Sequence, residues 1–409
     1  MIAIAPEDIA ASSGVHITVR TNSLARALRR ARDERLIVGF VHSHPQGPAI
    51  FSEQDDSHEP LMAELARNRN GCATPLLSLL TTQDGRLAGR VWREVAPPLP
   101  FDMIRVVGDR LSLHYDGRFG TDTPAAFHRQ ALAFGPALNK DVAALRIGVV
   151  GAGATGSATM VLLARLGARR IAVFDRDLVD ETNLSRMHGA TRTDIGRPKV
   201  EVIKAHVEAF GLQADVAAYQ TWIGDPACRD ALKSCDVIFG CTDDHDGRML
   251  LNRFAYFYLV PVIDMGIDIG LGDRRILGAD ARVTVVQPGM RCLLCRNVID
   301  PARAFAEHLE RIDPIEHERR VKERYVRGAG NPNPAVVHFT TDAAAMAIDE
   351  LVQRLTGYRR AGSSAHRVRK FHLLDDKRPG AAAAPDCPIC GTADYWGRGD
   401  VEPFLDRVG

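Results

Sequence analysis

Apolar and polar positions follow two different periods along this chain. Short, largely apolar runs at 147–150, 170–174, 236–239 and 261–265 read as strands buried on both faces, the pattern of a parallel sheet. Helix-like segments lie among them, one running through Leu166 and another over 202–210. Ala345, Ile348, Leu351 and Val352 share one face of a helix expected over 342–355. After the fourth run, residues 267–289 carry at least one hairpin. Nearer the start, 24–34 is amphipathic at helical period and leads into a short strand at 36–41. Further strands are expected at 76–81, 87–92 and 111–115, interrupted by Pro97, Pro98 and Pro100. A Gly/Asp/Thr-rich stretch at 117–123 marks a boundary, so two domains are expected, 1–118 and 119–409. The expected class is α/β: a small α+β domain, then a larger Rossmann-like domain with a mostly parallel sheet.

The first apolar run of the larger domain ends in Gly151-Ala152-Gly153-Ala154-Thr155-Gly156 and opens a helix. The next run ends in Asp175. Strand, glycine turn, helix, strand and terminal acid make a dinucleotide-binding βαβ unit. Glycines let the backbone turn tightly and approach a phosphate, and the helix N-terminus adds N–H donors. Asp175 is placed for a ribose hydroxyl. This pattern alone leaves the nucleotide open.

Composition removes some classes. Lysine plus arginine number 52 against 51 acids, so no global field favours nucleic acid or a membrane surface. No apolar run approaches the roughly 20 residues that span a bilayer, and the first residues lack the basic and apolar regions of a signal peptide. A cytoplasmic protein is expected. Of eight cysteines, four form two CxxC pairs, Cys292/Cys295 and Cys387/Cys390. Such a closed set suits a structural zinc ion, because no position remains for water.

Residues beyond the glycine turn narrow the nucleotide. Asp175, Asp177, Asn183, Arg186 and Lys199, followed by Cys241-Thr242-Asp243-Asp244, resemble the ThiF- and MoeB-like adenylyltransferase core of the ubiquitin-activating family. The resemblance runs from about residue 127 to 390. It implies ATP with Mg2+, a cationic clamp of Arg186 and Lys199, Asp243 as the magnesium ligand, and Asn183 bonding phosphate or ribose. It also implies a homodimer in which Arg129, of the pair Arg129-Gln130, reaches the other subunit's site. The acceptor it implies is the C-terminus of a ubiquitin-like β-grasp protein or of a peptide. No cysteine stands between Cys295 and Cys387, where thioester-forming relatives carry one. The adenylate is therefore expected to pass to an external thiol or amine, or to a conjugating protein. Residues 301–330, rich in Arg, Glu and His, read as a charged helix or mobile segment over the site, with a solvated face expected for each individual charge.

In the small domain, His42 and His44 stand two apart at a strand end, so both side chains point the same way. Asp55 adds a third ligand and leaves a fourth position for water, the layout of a catalytic zinc. His-x-His-x7-Ser-x2-Asp resembles the JAMM/MPN metalloprotease motif, which implies cleavage of ubiquitin-like tails and an oxyanion-stabilising role for Ser52. That family uses an upstream glutamate as base. Only Glu7 and Glu34 precede His42, so metal binding with poor cleavage is expected. Three alternatives stay open: adenylation of a small peptide, a nicotinamide oxidoreductase resting on the glycine turn and Asp175, and an inert scaffold with two zinc sites.

Overall fold

The computed structural model describes residues 3–12, 17–45, 47–94, 97–115, 124–272, 275–323, 334–380, 382–399 and 404. The expected boundary stretch, 117–123, lies outside them. Two compact units are present, Met1–Val106 with Ser112–Arg118, and Val107–Leu111 with Phe119–Gly409.

The first unit begins with a short hairpin of β1 (Ile9–Ser12) and β2 (Ile17–Val19), then α1 (Thr21–Asp33). A four-stranded sheet follows, β3 (Val38–His44), β4 (Leu76–Thr82), β5 (Leu87–Trp92) and β6 (Leu99–Pro100), in that order. β3 and β4 are parallel and joined by α2 (Glu53–Asn70); the other pairs are antiparallel. β4 alternates between buried and half-buried positions, the period-2 signature of a sheet packed on one face. β7 (Ile104–Val107) and β8 (Leu111–His114) form a separate pair. One expectation needs correction. The first long strand does not stop at Val41 but continues through His44, so both histidines sit within β3. Phe40, His42 and His44 alternate with Val41 and Ser43, and pairing with β4 carries the strand past its last aliphatic residue.

The second unit opens with α3 (His128–Phe134) and α4 (Pro136–Ala144). Then come β9 (Arg146–Val150), α5 (Ala154–Leu166), β10 (Arg170–Phe174), α6 (Lys199–Glu208), β11 (Asp215–Tyr219), α7 (Pro226–Lys233), β12 (Val237–Gly240) and α8 (His245–Phe257). β13 (Val262–Gly272) and β14 (Arg275–Val286) form the long hairpin. α9 (Pro301–Ile312), α10 (Pro314–Lys322), α11 (Val337–Thr356), β15 (His366–Lys370) and β16 (Asp375–Lys377) complete it. The sheet order is β11-β10-β9-β12-β13-β14-β15-β16, parallel from β11 to β13 and antiparallel beyond. β10 lies on one side of β9 and β12 on the other, so strand order reverses beside β9. Open α/β sheets bind ligands in the crevice at such a reversal, beyond the strands' carboxyl ends. The apolar runs become buried strands: Ile147, Val149, Val173, Ile238 and Phe239 are without exposure.

Candidate functional site

The crevice is shaped by the glycine turn after β9. Gly151 has φ +94, and a Cβ there would come within 2.8 Å of the Cys241 carbonyl oxygen. At Gly156 a Cβ would lie 1.8 Å from the Gly151 carbonyl oxygen, so α5 can seat against the turn only without a side chain. Gly153 differs: a Cβ there would meet nothing within 4 Å. Its backbone faces open space at the N-terminus of α5, the geometry of a phosphate cradle.

Asp175 ends β10 and braces the turn, accepting from the Ala152 N–H at 2.7 Å and the Asp177 N–H at 2.8 Å. Burial raises its carboxyl above the ordinary carboxylate range against the pull of Lys199 and the two N–H donors. Lys199 begins α6 and points back, its Nζ 2.9 Å from an Asp177 oxygen. Asn183 is buried in a capping box with Asp180, giving its N–H to the Asp180 carboxylate. Arg186 follows one turn later, with its guanidinium 2.6 Å from the Thr182 carbonyl oxygen. Asp177, Lys199, Asp180, Asn183 and Arg186 are thus threaded by local bonds. Asp243, just past β12, is exposed, and its carboxylate has no partner among the described residues. Asp244 beside it caps α8 instead, accepting from the Gly247 N–H. The turn and the ends of β10 and β12 therefore converge at the sheet's carboxyl edge.

Arg129 is exposed on α3 and forms no ion pair or side-chain hydrogen bond among the described residues. Its neighbour Gln130 anchors the helix, donating to Asn139 Oδ1 at 2.5 Å and to the Leu166 carbonyl at 2.8 Å.

Two charged groups at this edge escaped the sequence reading. Asp264, fully buried in β13 opposite Gly240, lies 2.6 Å from the Arg282 guanidinium and 3.6 Å from that of Arg248. An acid inside an otherwise apolar run was the available signal. Glu307 of α9 accepts from the His245 and Asp246 N–H groups at 2.6 and 2.9 Å, closing the start of α8. Arg311 pairs with Asp246 and lies 3.4 Å over the Trp222 ring. These residues correct the expectation of a solvated face over 301–330: one side of α9 holds charges against α8, because its first-turn N–H groups need acceptors. Residues 324–330 of that segment lie outside those described.

The four CxxC cysteines meet as expected, all Sγ atoms lying within 4.8 Å of one another. Cys292 and Cys387 are 3.8 Å apart and Cys295 and Cys390 3.9 Å, far beyond a disulfide. Thiolates about 2.3 Å from one zinc ion stand about 3.8 Å apart at the corners of a tetrahedron, so the donor set and spacing fit zinc. A bridge between Met290 and Ala382 and a bond from Tyr256 Oη to the Met290 carbonyl tie this region to α8.

In the first unit His42, His44 and Asp55 also converge. Their Nε2 atoms lie 3.2 and 3.4 Å from the two Asp55 oxygens. Both His42 ring nitrogens are buried without a hydrogen-bond partner, which fits a metal ligand. Burial pushes the Asp55 carboxyl up, but Ser52's N–H and hydroxyl and the two histidines hold it below the ordinary range. Ser52 Oγ donates to Asp55 Oδ2 at 2.8 Å and caps α2. No glutamate belongs to this cluster among the described residues, and Glu7 is exposed on a 3-10 turn.

Comparison with known proteins agrees with both units. Residues 127–391 match the ThiF family, and residues 2–93 match prokaryotic homologs of the JAB domain. The adenylyltransferase and sulfurtransferase UBA4 of Meyerozyma guilliermondii is 31% identical over 115 residues, 28% of this chain and 27% of that protein. The chain thus spans about a quarter of that relative's length. The sulfur carrier protein ThiS adenylyltransferase of Bacillus subtilis is 24% identical over 287 residues, covering 68% of this chain and 73% of its own. The crystal structure of E. coli MccB with AMPCPP and MccA superposes with a TM-score of 0.51 at 16% identity, covering 68% of this chain and 76% of that one. At that identity the likeness is one of fold.

Proposed function

Because the chain belongs to the ThiF family, we propose that it is an ATP-dependent adenylyltransferase activating the C-terminal carboxylate of a ubiquitin-like β-grasp protein. The observation that carries this reading is the meeting, at one sheet edge, of an open glycine cradle, Asp175, and the unpartnered Asp243 carboxylate. A hydride-transfer site needs the first two and has no use for the third, whereas a triphosphate with a divalent cation does. The relatives named adenylyltransferases support the same choice.

In this account the backbone at Gly151, Gly153 and Gly156 receives phosphate, and Asp175 orients the ribose. Lys199 and Arg186 hold the triphosphate, with Asn183 and Asp177 fixing the segment between them. Asp243 holds magnesium, which spreads the developing charge on the phosphates when bound. An acceptor carboxylate oxygen forms a bond to the α-phosphorus, the bond from that phosphorus to the bridging oxygen breaks, and pyrophosphate leaves with the electron pair. The carboxylate is ionised at neutral pH, so no general base is required. The chain acts by positioning and charge stabilisation. Arg129 completes the clamp of a second subunit in a homodimer. Cys228, Cys235 and Cys241 are buried, and burial chiefly pushes the Cys228 and Cys241 thiols up to about 11 and about 12, so none of these three is the acceptor and the adenylate passes to an external thiol or amine.

The four-cysteine set holds a structural zinc. His42, His44 and Asp55 hold a second zinc, which would polarise a water or carbonyl there. Ser52 lies beside it for an oxyanion, but with no glutamate in the cluster among the described residues the unit cleaves acceptor tails poorly. No helix among the described residues is long and apolar enough to cross a membrane, and we place the protein in the cytoplasm.

The test is ATP–pyrophosphate exchange with β-grasp carrier proteins ending in Gly-Gly. Exchange should require the free carrier carboxylate and vanish in Asp243→Ala. Exchange that persists when that carboxylate is amidated would overturn the assignment.

A further inference from the structure

The first unit contains a buried ion pair that the proposed functions leave unused. Glu59 of α2 is 1% exposed. One of its oxygens accepts from Ser78 Oγ at 2.7 Å, and the other from Arg90 Nε and Trp92 Nε1, both at 2.6 Å. These donors come from β4 and β5, where Ser78 pairs with Arg90 and Leu76 with Trp92. Burying a carboxylate and a guanidinium is costly compared with packing aliphatic side chains in their place. Stability alone therefore does not account for this pair.

Asp55 lies one helical turn before Glu59 on the same face of α2. Pro60 follows Glu59 inside the helix. Having no N–H, it leaves the Asp56 carbonyl without its helical donor, although the helix runs on from Glu53 to Asn70. Arg90 spans this missing bond, its Nη1 2.5 Å from an Asp56 carboxylate oxygen while its Nε holds Glu59. The same guanidinium lies 3.9 Å over the ring of Phe51, which leads into the cap residue Ser52. His42 and His44 arrive on β3, paired in register with β4, so Phe40 faces Ser78 and His42 faces Leu80. β4 and β5 are thus a common frame for both sets of candidate ligands.

We propose that Glu59, acting through Arg90, is a positioning residue that fixes the first turn of α2 and so sets Asp55 against His42 and His44 for a zinc ion. This rests on the proposed zinc site on β3 and α2. Supporting residues around metal ligands are typically worth 10- to 100-fold in affinity, and here the effect passes through a helix turn. Glu59→Gln, which loses the ion pair at constant volume, is expected to weaken zinc at this site about tenfold.

The experiment titrates Zn2+ into the full chain, with the four-cysteine zinc retained, against a chelator of known affinity. His42→Ala marks the site. Should Glu59→Gln not fold, Glu59→Leu with Arg90→Met replaces the pair by packed apolar groups and is expected to show the same loss. Ala63→Gly, in the buried face of α2 but outside the network, should lower the melting temperature and leave zinc affinity unchanged. Pro60→Ala added to Glu59→Gln should recover part of the loss by restoring the backbone bond. Zinc affinity within twofold of wild type in the Glu59 variants, an equal loss in Ala63→Gly, or no recovery with Pro60→Ala overturns the proposal. A wild-type chain that binds no zinc sensitive to His42→Ala overturns instead the metal site on which it rests.

Discussion

Replacing Gly153 by alanine separates folding from nucleotide binding more cleanly than any other change in the glycine turn. At Gly156 a methyl would sit 1.8 Å from the Gly151 carbonyl oxygen, and at Gly151 it would sit 2.8 Å from that of Cys241, on backbone with φ +94. Either substitution must move backbone and should cost several kcal/mol. At Gly153 the added methyl meets nothing within 4 Å and φ is −73. Because Gly153 is the N-cap of α5, where alanine is disfavoured, stability should fall by only about 1 kcal/mol, a shift of about 2–4 °C in melting temperature for a domain of this size. The methyl nevertheless occupies the space where a phosphate would approach the N–H groups at the start of α5. Losing one charge-assisted hydrogen bond costs about 1.5–3 kcal/mol, which is roughly a 10- to 100-fold loss in ATP affinity. Differential scanning fluorimetry gives the first quantity and calorimetric titration with ATP and Mg2+ the second. A folded Gly153→Ala protein that binds ATP as the wild type does would refute the cradle.

Cys387→Ser should remove the stoichiometric zinc of the four-thiolate site and lower the melting temperature markedly, because structural zinc contributes directly to folding; metal analysis and thermal denaturation read both. Arg129→Ala and Asp243→Ala should each be inactive, yet mixing them should restore part of the pyrophosphate exchange, since Arg129 is exposed and bonds no residue of its own chain's site among the described residues; no recovery in re-equilibrated dimers would argue against a shared site. His366, buried against Thr284 and near Arg296 and Arg282, is depressed to about 4 from an ordinary 6.5. A depressed histidine contributes stability that is present above pH 6.5 and lost as pH falls toward 4. The loss is at most about 3 kcal/mol, and the acid limb of the thermal midpoint should flatten in His366→Gln.

The sheet was legible because its strands are buried on both faces and written as apolar runs, from Ile147 to Phe239. The glycine turn was legible for a different reason. Backbone approaching backbone at Gly151 and Gly156 leaves one residue type that fits. The two CxxC pairs and the His42/His44 spacing were readable because a metal ion demands particular donors at short range. What escaped depended on pairing across long sequence separations. Asp264 and Arg282 meet only through the β13–β14 hairpin, and Glu307 finds the start of α8 only once α9 has packed there. Glu59 lies on a helix whose overall pattern is polar, and its burial follows from donors on two later strands. Strand length at His42 and His44 was underread because a metal-binding pair looks like a strand's end when pairing with β4 is unknown.

In the proposed reaction this chain cuts ATP between its α- and β-phosphates to activate a carboxylate. The direct measurement is product identity from ATP labelled at the α-phosphate, incubated with Mg2+ and a Gly-Gly-ending β-grasp carrier. The account predicts AMP linked to the carrier through an acyl phosphate, releasing AMP on treatment with a thiol or amine, together with one pyrophosphate per adenylate. Labelled ADP, with phosphate released from the γ-position and no nucleotide on the carrier, would contradict it.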